Sequence, residues 1–171
     1  KDFVAGLRGI DIAQSISKSL SKKAIAIEVN GSEQDLCETI NSDAKVAILT
    51  IDNSKGLDIM RHTCAHVFGH AIKQIYPDVQ MVIGPIIENG FYYDILSSIP
   101  ISEKELNLIE NRMRKLVKKN YKIVREVVTK EQAISIFNNR NEPYKVELLK
   151  EIPKNEIIAV YHHEEYIDMC R

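Results

Sequence analysis

The sequence predicts an α+β protein built of two consecutive units, and three observations support that prediction. The 171 residues, 44% of them hydrophobic, suffice for one medium core or for a small core and a larger one. Short strand-like runs alternate with amphipathic helical runs along the chain. A polar, glycine-containing segment at residues 52–56 reads as a linker. We therefore expect a first unit at residues 1–51 and a second at 57–171.

The first unit combines one helix with a few short strands. Asp11–Gln14 resembles a capping box that opens a helix to about Ser21. Ala24–Val29 is a predicted strand, closed by the hairpin signal Asn30–Gly31, and Lys45–Ile51 is a second strand. A helix lying on a small mixed sheet in so short a segment fits a β-grasp (ubiquitin-like) module.

The second unit opens with a predicted helix that spans Lys55 to Pro77. Apolar residues recur there at three- and four-residue steps, and Pro77 supplies the stop. His62, His66 and His70 follow one another at four-residue spacing, which places three imidazoles on one strip of the helix. Such a strip fits a metal site or a proton-transfer site, and it also fits plain solvated histidines.

The remaining elements predict helices packed on an antiparallel sheet. A capping box at Ser102–Glu105 opens one helix, and Thr129–Gln132 opens another. Asn141–Pro143 is a predicted turn, and Tyr144–Val146 re-enters ordered structure after it. The predicted strands are Val79–Ile83, Phe91–Ile95, Tyr121–Val128 and Ile157–Tyr161.

Composition excludes several classes of protein. A net charge of −1 gives no overall attraction to nucleic acid, and three widely spaced cysteines indicate no disulfide framework. No apolar run reaches membrane-spanning length and no signal peptide opens the chain, so we expect no membrane association and a cytoplasmic location. One basic face is suited to a phosphate backbone, although such faces are usually only solvated. It comprises Arg112, Arg114, Lys115, Lys118, Lys119, Lys122 and Arg125.

Four motifs, in this order, resemble the bacterial threonyl-tRNA synthetase family. They are the His-x-x-x-His segment Arg61–Gln74, Ile83–Pro85, Asn89–Asp94 and Glu164–Arg171. The resemblance covers essentially the whole chain and implies a TGS domain followed by an editing domain, both parts of a longer enzyme. It also implies that the chain begins slightly inside the TGS domain and lacks the aminoacylation and anticodon-binding domains.

The resemblance implies a proofreading activity on tRNA(Thr). The editing domain would hydrolyse serine from mischarged tRNA(Thr), because one methylene-sized difference supports only about 10- to 200-fold discrimination by binding. ATP with magnesium, and zinc, would belong to the missing catalytic domain, and the full-length enzyme would dimerise through absent parts. No cofactor is expected in this fragment.

The resemblance also assigns roles to individual residues. His62 and His66 match histidines that contact the tRNA end and help place a water, and Lys145 matches a lysine that bears on catalysis. Asp168 and Cys170 match the pocket wall. Gly84 and Tyr93 match the substrate cleft, and neighbouring Tyr92 is a further candidate.

Each of these residues also has a plain structural interpretation. Lys145 fits an exposed strand lysine, Asp168 a turn cap and Cys170 a small core residue. His70 is predicted to be structural, and His162 and His163 receive no firm role.

Two alternative functions stay open at this stage. Alanyl-type editing domains bind zinc through a His-x-x-x-His and Cys-x-x-x-His set, but this chain ends at Arg171 before the last histidine. We therefore predict no metal site. A module that only clamps the tRNA acceptor arm is the second alternative.

Overall fold

The computed structural model describes residues 2–153 and 155–170, with the side chain of Cys170 outside the described part. The chain divides into two compact units, Lys1–Thr63 and Cys64–Arg171. The division falls within one long helix, Ser54–Ile75, so this helix contributes residues to both units.

The first unit contains a small antiparallel sheet and two short helices. Its elements are β1 (Leu7–Arg8), α1 (Gly9–Ile16), α2 (Lys18–Lys23), β2 (Ala24–Val29), β3 (Ser32–Asp35), β4 (Thr39–Ile40) and β5 (Val46–Thr50). Strand β2 lies between β3 and β5, and β1 pairs with β4. Asn30 and Gly31 both have positive φ angles, 51° and 88°, as a tight hairpin turn between twisted strands requires. The predicted hairpin signal is confirmed.

The helical segment of the first unit differs from the prediction. Asp11 is the third residue of α1, not its cap, and its carboxylate accepts hydrogen bonds from the Arg8 backbone N–H (3.3 Å) and guanidinium (2.8 Å). The helix also ends at Ile16, where Ser17 takes an extended conformation and caps the separate helix α2. An acidic residue suits both the cap and the first turn of a helix, so the sequence pattern predicts a helix start three residues later than the observed one.

The long helix α3 (Ser54–Ile75) begins inside the segment 52–56 that the sequence predicted as a linker, and it includes Gly56. The linker prediction was wrong at this end for a steric reason. A Cβ at Gly56 would collide with the backbone carbonyl of Thr50. The glycine permits a close approach of the chain instead of interrupting the helix.

The described residues of the second unit form two hydrophobic cores. Its further elements are β6 (Gln80–Ile83), β7 (Ile86–Ile87), β8 (Gly90–Phe91), β9 (Asp94–Leu96), α4 (Glu103–Lys119), β10 (Ile123–Val128), α5 (Lys130–Asn139), α6 (Pro143–Glu151), β11 (Ile158–His163) and β12 (Tyr166–Cys170). One core packs α3 and α4 against β6, through Ile72, Ile109 and Met81. The other packs α5 and α6 against β11, through Phe137 and Val160.

Two local predictions in the second unit were wrong. The predicted strand Phe91–Ile95 is interrupted at Tyr92 and Tyr93, and its halves pair with different partners. The predicted turn Asn141–Pro143 is shorter than expected, because helix α6 begins at Pro143 and the ordered segment Tyr144–Val146 lies within it. Proline at a first helical position is a start signal as well as a turn signal, because its fixed φ suits the helix.

The sheet geometry confirms the predicted α+β class. Strands β10, β11 and β12 form an antiparallel sheet in that order, and every other strand pair in the described chain is also antiparallel. The predicted capping boxes at Ser102 and Thr129 both form. None of the described helices has the length and apolar character needed to cross a bilayer.

Candidate functional site

The site is built on one face of the β11–β12 hairpin, because side chains alternate between the two faces of a strand. Ile158 and Val160 of β11 point into the core beneath helices α5 and α6. The alternate residues face the other way, and there the register pairs Tyr161 with Asp168 and His163 with Tyr166. A polar, aromatic face therefore lies opposite the apolar one.

Asp168 is the most heavily bonded carboxylate of this face. It is 2% exposed and forms an ion pair with the Lys145 ammonium, which is 3% exposed. The hydroxyls of Tyr166 (2.7 Å) and Tyr93 (3.0 Å) donate to Oδ2, and the Met169 backbone N–H donates to Oδ1 at 2.9 Å. Four donors thus fill the four lone-pair positions of one carboxylate.

The charges of the pair stabilise each other against burial. Burial alone raises the pKa of Asp168, but the Lys145 ammonium and the hydrogen bonds lower this pKa below its usual range. Burial likewise lowers the pKa of Lys145, and the Asp168 carboxylate reverses that effect and raises the pKa above its usual range. Burial raises the pKa of the Tyr93 hydroxyl, and the nearby carboxylate adds to the increase. At neutral pH the site holds one carboxylate, one ammonium and neutral phenols.

The histidine helix α3 contacts the same face of the hairpin. His66, 6% exposed, lies with Nδ1 3.2 Å from Nε2 of His163 and with its ring edge-on to Tyr161. Burial lowers the pKa of His163 to about 4, and the neighbouring His66 adds to the decrease. His163 is therefore a neutral imidazole at physiological pH.

His70 is fully buried one turn further along α3. Its Nδ1 lies 3.1 Å from the Tyr121 hydroxyl, and its Nε2 lies 2.9 Å from a carboxylate oxygen of Glu165. Its ring stacks on Tyr166 at an interplanar angle of 8°. Tyr166 therefore contacts both Asp168 and the histidines, and it connects the Lys145–Asp168 pair with the histidine cluster.

The structure brings together most of the residues that the sequence singled out. Lys145, Asp168 and Tyr93 meet in one cluster, and His66 lies beside it on α3. Gly84 packs on the Tyr93 ring so closely that an added Cβ would come within 2.5 Å of it. Lys145 is a buried helix residue and Asp168 a strand residue, so the exposed-lysine and turn-cap interpretations are excluded.

The remaining predicted residues are His62, Tyr92 and Cys170. His62 is half-buried on α3, one turn before His66, and the structure places it in the first of the two compact units. Tyr92 is 48% exposed, and it is Tyr93 that donates to Asp168. Cys170 is the last residue of β12, and its predicted role falls on a side chain outside the described part.

Sequence reasoning missed four residues of the site. His163, Tyr166, Tyr121 and Glu165 all form hydrogen bonds within it. A signal existed only for Tyr166, which alternates with the apolar Ile167 and Met169. His163 follows another histidine beyond the end of the predicted strand Ile157–Tyr161, so no pattern marked it. No local signal marks Tyr121, whose partner His70 lies 51 positions away.

The predicted basic face of α4 is exposed over most of its length. Lys115 and Lys118 are exposed on α4, and Lys122 is exposed after the helix, which ends at Lys119. Arg114 pairs with Glu110, and Lys119 pairs with Glu164 at 2.7 Å. Arg125, also exposed, lies on β10, and the half-buried Arg112 donates from Nε to the Gln74 side-chain oxygen. Lys115 and Lys118 are therefore the lysines of this face that lie exposed on α4 and for which the described part of the structure gives no carboxylate partner.

One group of side chains has the composition of a metal site. Ligand atoms of His70, Glu164 and Glu165 lie within 4.8 Å of one another. The carboxylates already accept hydrogen bonds or ion pairs, Glu164 from Lys119 and Glu165 from Gln74 and His70. These contacts account for the cluster without an ion.

The chain matches one known domain model and several named proteins. Residues 4–50 match the TGS domain model, a β-grasp (ubiquitin-like) fold, and the predicted fold of the first unit is thereby confirmed. The whole chain is 44% identical to proteins named threonine--tRNA ligase from Psychrobacter cryohalolentis and Psychrobacter arcticus. It is 47% identical to the protein of that name from Prochlorococcus marinus.

These matches cover all of this chain but only 27% of each relative, so the chain spans about a quarter of their length. The motif-based resemblance is confirmed over the full 171 residues. The chain therefore matches the N-terminal region of threonine--tRNA ligases, with a TGS domain at residues 4–50.

Proposed function

We propose that this chain is the proofreading part of an enzyme that attaches threonine to tRNA(Thr) with ATP. Its second unit would hydrolyse serine from mischarged seryl-tRNA(Thr). The observation that carries the proposal is the buried Lys145–Asp168 pair. Two tyrosine hydroxyls donate hydrogen bonds to its carboxylate, and the pair lies on the face of the β11–β12 hairpin that His66 contacts. Buried charges of this kind are costly to the fold, and they concentrate at functional sites.

Hydrolysis of an aminoacyl ester has three requirements that these side chains meet. A base or an oriented water must attack the carbonyl, a positive group must stabilise the oxyanion, and the pocket must be narrow. His66 supplies an imidazole for the water, and the ammonium of Lys145 supplies fixed positive charge. Gly84 and the Tyr93 ring packed against it supply a tight wall.

The role of Asp168 is constrained by its four donors. To bind the serine amine directly, the carboxylate would have to release at least one of them, because each of its lone-pair positions is occupied. A tyrosine hydroxyl is the easiest to displace, since releasing Lys145 would leave a buried charge unpaired. We therefore propose that amine binding displaces Tyr93 or Tyr166 from Oδ2.

The partners and setting follow from the same proposal. The substrate is tRNA(Thr) mischarged with serine, and the exposed lysines of α4 would contact its phosphates. ATP with magnesium, and zinc, would act in the remainder of a full-length enzyme, which would be a homodimer. The enzyme would work in the cytoplasm, where tRNA is charged.

The decisive experiment measures deacylation of seryl-tRNA(Thr) and threonyl-tRNA(Thr) by the 171-residue chain. We expect release of serine only, and a loss of about 100-fold or more in His66→Ala and Lys145→Ala, the ranges for a general acid–base group and for a group that stabilises an oxyanion. Lys150→Ala, which removes an exposed lysine from the same helix as Lys145, is the matched control.

Two results would replace the proposal. Tight tRNA binding without hydrolysis, unchanged in the His66 and Lys145 variants, would indicate a module that only clamps the acceptor arm. Hydrolysis that disappears with a chelator and returns with zinc would indicate the metal-dependent alternative.

A further inference from the structure

One buried carboxylate joins the start of helix α6 to two other elements of the second unit. Glu142 is the residue immediately before Pro143, where α6 begins, and it is 3% exposed. Its Oε1 lies 2.9 Å from the Lys73 ammonium of α3, and its Oε2 accepts a hydrogen bond from the Met81 backbone N–H of β6 at 3.3 Å. Three elements therefore meet at one side chain.

The carboxylate of Glu142 does not cap the helix that follows it. Ser102 and Thr129 cap α4 and α5 by accepting a hydrogen bond from the backbone of their own helix, as is usual at this position. Glu142 holds the corresponding position of α6, and its side chain makes no such bond within this described helix. Its backbone N–H donates to the Phe137 carbonyl of α5 at 2.9 Å. Backbone and side chain of Glu142 thus attach the start of α6 to three neighbouring elements.

Lys73 extends this junction to the segment between α3 and β6. An ammonium has three N–H donors, and Lys73 meets three acceptors. It donates to the Pro77 and Val79 carbonyls, both at 2.9 Å, and it pairs with Glu142. The end of α3, its connection to β6 and the start of α6 are therefore bound to one ammonium group.

The junction connects the two hydrophobic cores of the second unit. Val146 and Leu149 of α6 belong to the core formed with α5 and β11. Ile72 and Met81 belong to the core formed by α3, α4 and β6. Burial of apolar surface is non-directional, whereas hydrogen bonds require a defined distance and angle. The contacts of Glu142 are therefore suited to fix the position of α6 relative to β6.

This relative position matters at Asp168, because groups from both sides of the junction meet there. Lys145 of α6 pairs with the carboxylate. Tyr93, whose ring packs on Gly84 directly after β6, donates to it at 3.0 Å. Lys145 follows Glu142 by three residues, and such residues are neighbours on a helix surface. A displacement of the start of α6 would therefore displace the ammonium from the other groups at Asp168.

We propose that Glu142 is a positioning residue for the hydrolysis. By binding Lys73 and the Met81 N–H, it holds α6 against β6 and sets where the Lys145 ammonium meets the developing oxyanion. The inference rests on the proposed function, in which Lys145 supplies the positive charge. Glu142 acts on the reaction through Lys145.

Two substitutions of Glu142 remove its contacts in steps. Glu142→Gln leaves one acceptor oxygen, because an amide nitrogen cannot accept, and Glu142→Ala leaves none. Deacylation of seryl-tRNA(Thr) is measured in a single turnover with the chain in excess. It should slow by about 100-fold in Glu142→Ala, the scale for a misplacement of about 1 Å, and by less in Glu142→Gln. The chain concentration that gives half of the maximal rate should stay the same.

Two controls separate positioning from charge and from stability. Glu147→Gln removes the same charge from an exposed position of α6 and should leave the rate unchanged. Ile109→Val removes a methyl group from the core of α3, α4 and β6, and it should lower the urea midpoint of unfolding without slowing the reaction. An unaltered rate in Glu142→Ala would overturn the proposal. So would an equal slowing in Ile109→Val, because the rate would then follow stability alone.

A measurement without tRNA separates this inference from the proposed function. ¹H–¹⁵N NMR in mildly acidic solution follows the exchange of the Lys145 ammonium protons with water, and Lys145→Ala identifies their signal. We expect slow exchange in the unaltered chain and in Glu147→Gln, and faster exchange in Glu142→Ala. Faster exchange there, in a chain without hydrolysis, would support the positioning of Lys145 by Glu142 and overturn the proposed function. Hydrolysis by the unaltered chain, with rate and exchange both unchanged in Glu142→Ala, would do the reverse.

Discussion

Asp168 holds four groups at once, so its replacement tests how the second unit is stabilised. We expect Asp168→Asn to lower the free energy of unfolding by about 3–5 kcal/mol, because Lys145 would stay buried without its counter-charge. Urea denaturation at neutral pH measures the change. The double variant Lys145→Met with Asp168→Asn should recover part of the loss, and a double variant less stable than Asp168→Asn alone would contradict this explanation.

The two charges also predict how pH changes stability. The folded-state pKa of Asp168 is lowered, so its contribution is present above the unfolded value of about 4 and is lost as pH falls further. The folded-state pKa of Lys145 is raised, so its contribution is present below about 10 and is lost as pH rises through the folded value. Between those limits the pair should contribute a constant amount. A steep pH dependence of the pair's coupling energy near neutrality would contradict this.

His163 predicts a separate acid transition at milder pH. Its pKa is lowered to about 4 in the folded protein, so unfolding takes up a proton between the two values. Stability should therefore be complete above about 6.5 and fall by about 3 kcal/mol on acidification to about 4. Denaturation curves across this window measure the slope, which His163→Gln should reduce.

At the scale of the element, one substitution in helix α3 should change the free energy of unfolding in the direction opposite to that expected from helix propensity. Alanine normally stabilises a helix interior by about 1 kcal/mol relative to glycine. Gly56→Ala should instead destabilise the first unit, because the new Cβ would collide with the Thr50 carbonyl, which is backbone. The free energy of unfolding measures the effect. Ser19→Ala, at an exposed position of α2, is the control and should change little.

Elements set by short-range signals were predicted well from sequence. The Asn30–Gly31 hairpin and the capping boxes at Ser102 and Thr129 lie where the pattern puts them. Their geometry depends on residues three or four positions apart. Two of the misses share another cause, since Asp11 suits both the cap and the first turn of a helix, and Pro143 suits both a turn and a first helical position. Local sequence does not separate such alternatives.

At the scale of the whole molecule, the site was predictable only in part. Motifs singled out Lys145 and Asp168 together, but the burial of the lysine depends on a partner 23 residues away. His66 and His163 are 97 positions apart, and only the packing of α3 on the hairpin brings them within 3.2 Å. The hydrogen bonds of His70 to Tyr121 and to Glu165 could not be predicted for the same reason. They join residues that are 51 and 95 positions apart in the sequence.

The exposed lysines of α4 give the last prediction, which concerns how the whole chain meets tRNA. A cation that contacts a phosphate releases counterions, so each lost contact should reduce the salt slope of log affinity by about 0.7 to 0.9. We expect Lys115→Gln with Lys118→Gln to weaken binding of tRNA(Thr) and to reduce the slope by about 1.4 to 1.8. Binding measured over a series of salt concentrations gives the slope.

Lys130→Gln is unsuitable as a control, because its ammonium binds the Lys150 and Ile152 carbonyls at the end of α6. Lys150→Gln is suitable, since Lys150 is exposed on a different helix and has the same charge. We expect its salt slope to match that of the unaltered chain. An equal reduction of the slope per removed charge in both variants would mean that general positive charge, and not the α4 face, attracts the tRNA. An unchanged slope in the double variant would indicate that tRNA does not contact these lysines of α4.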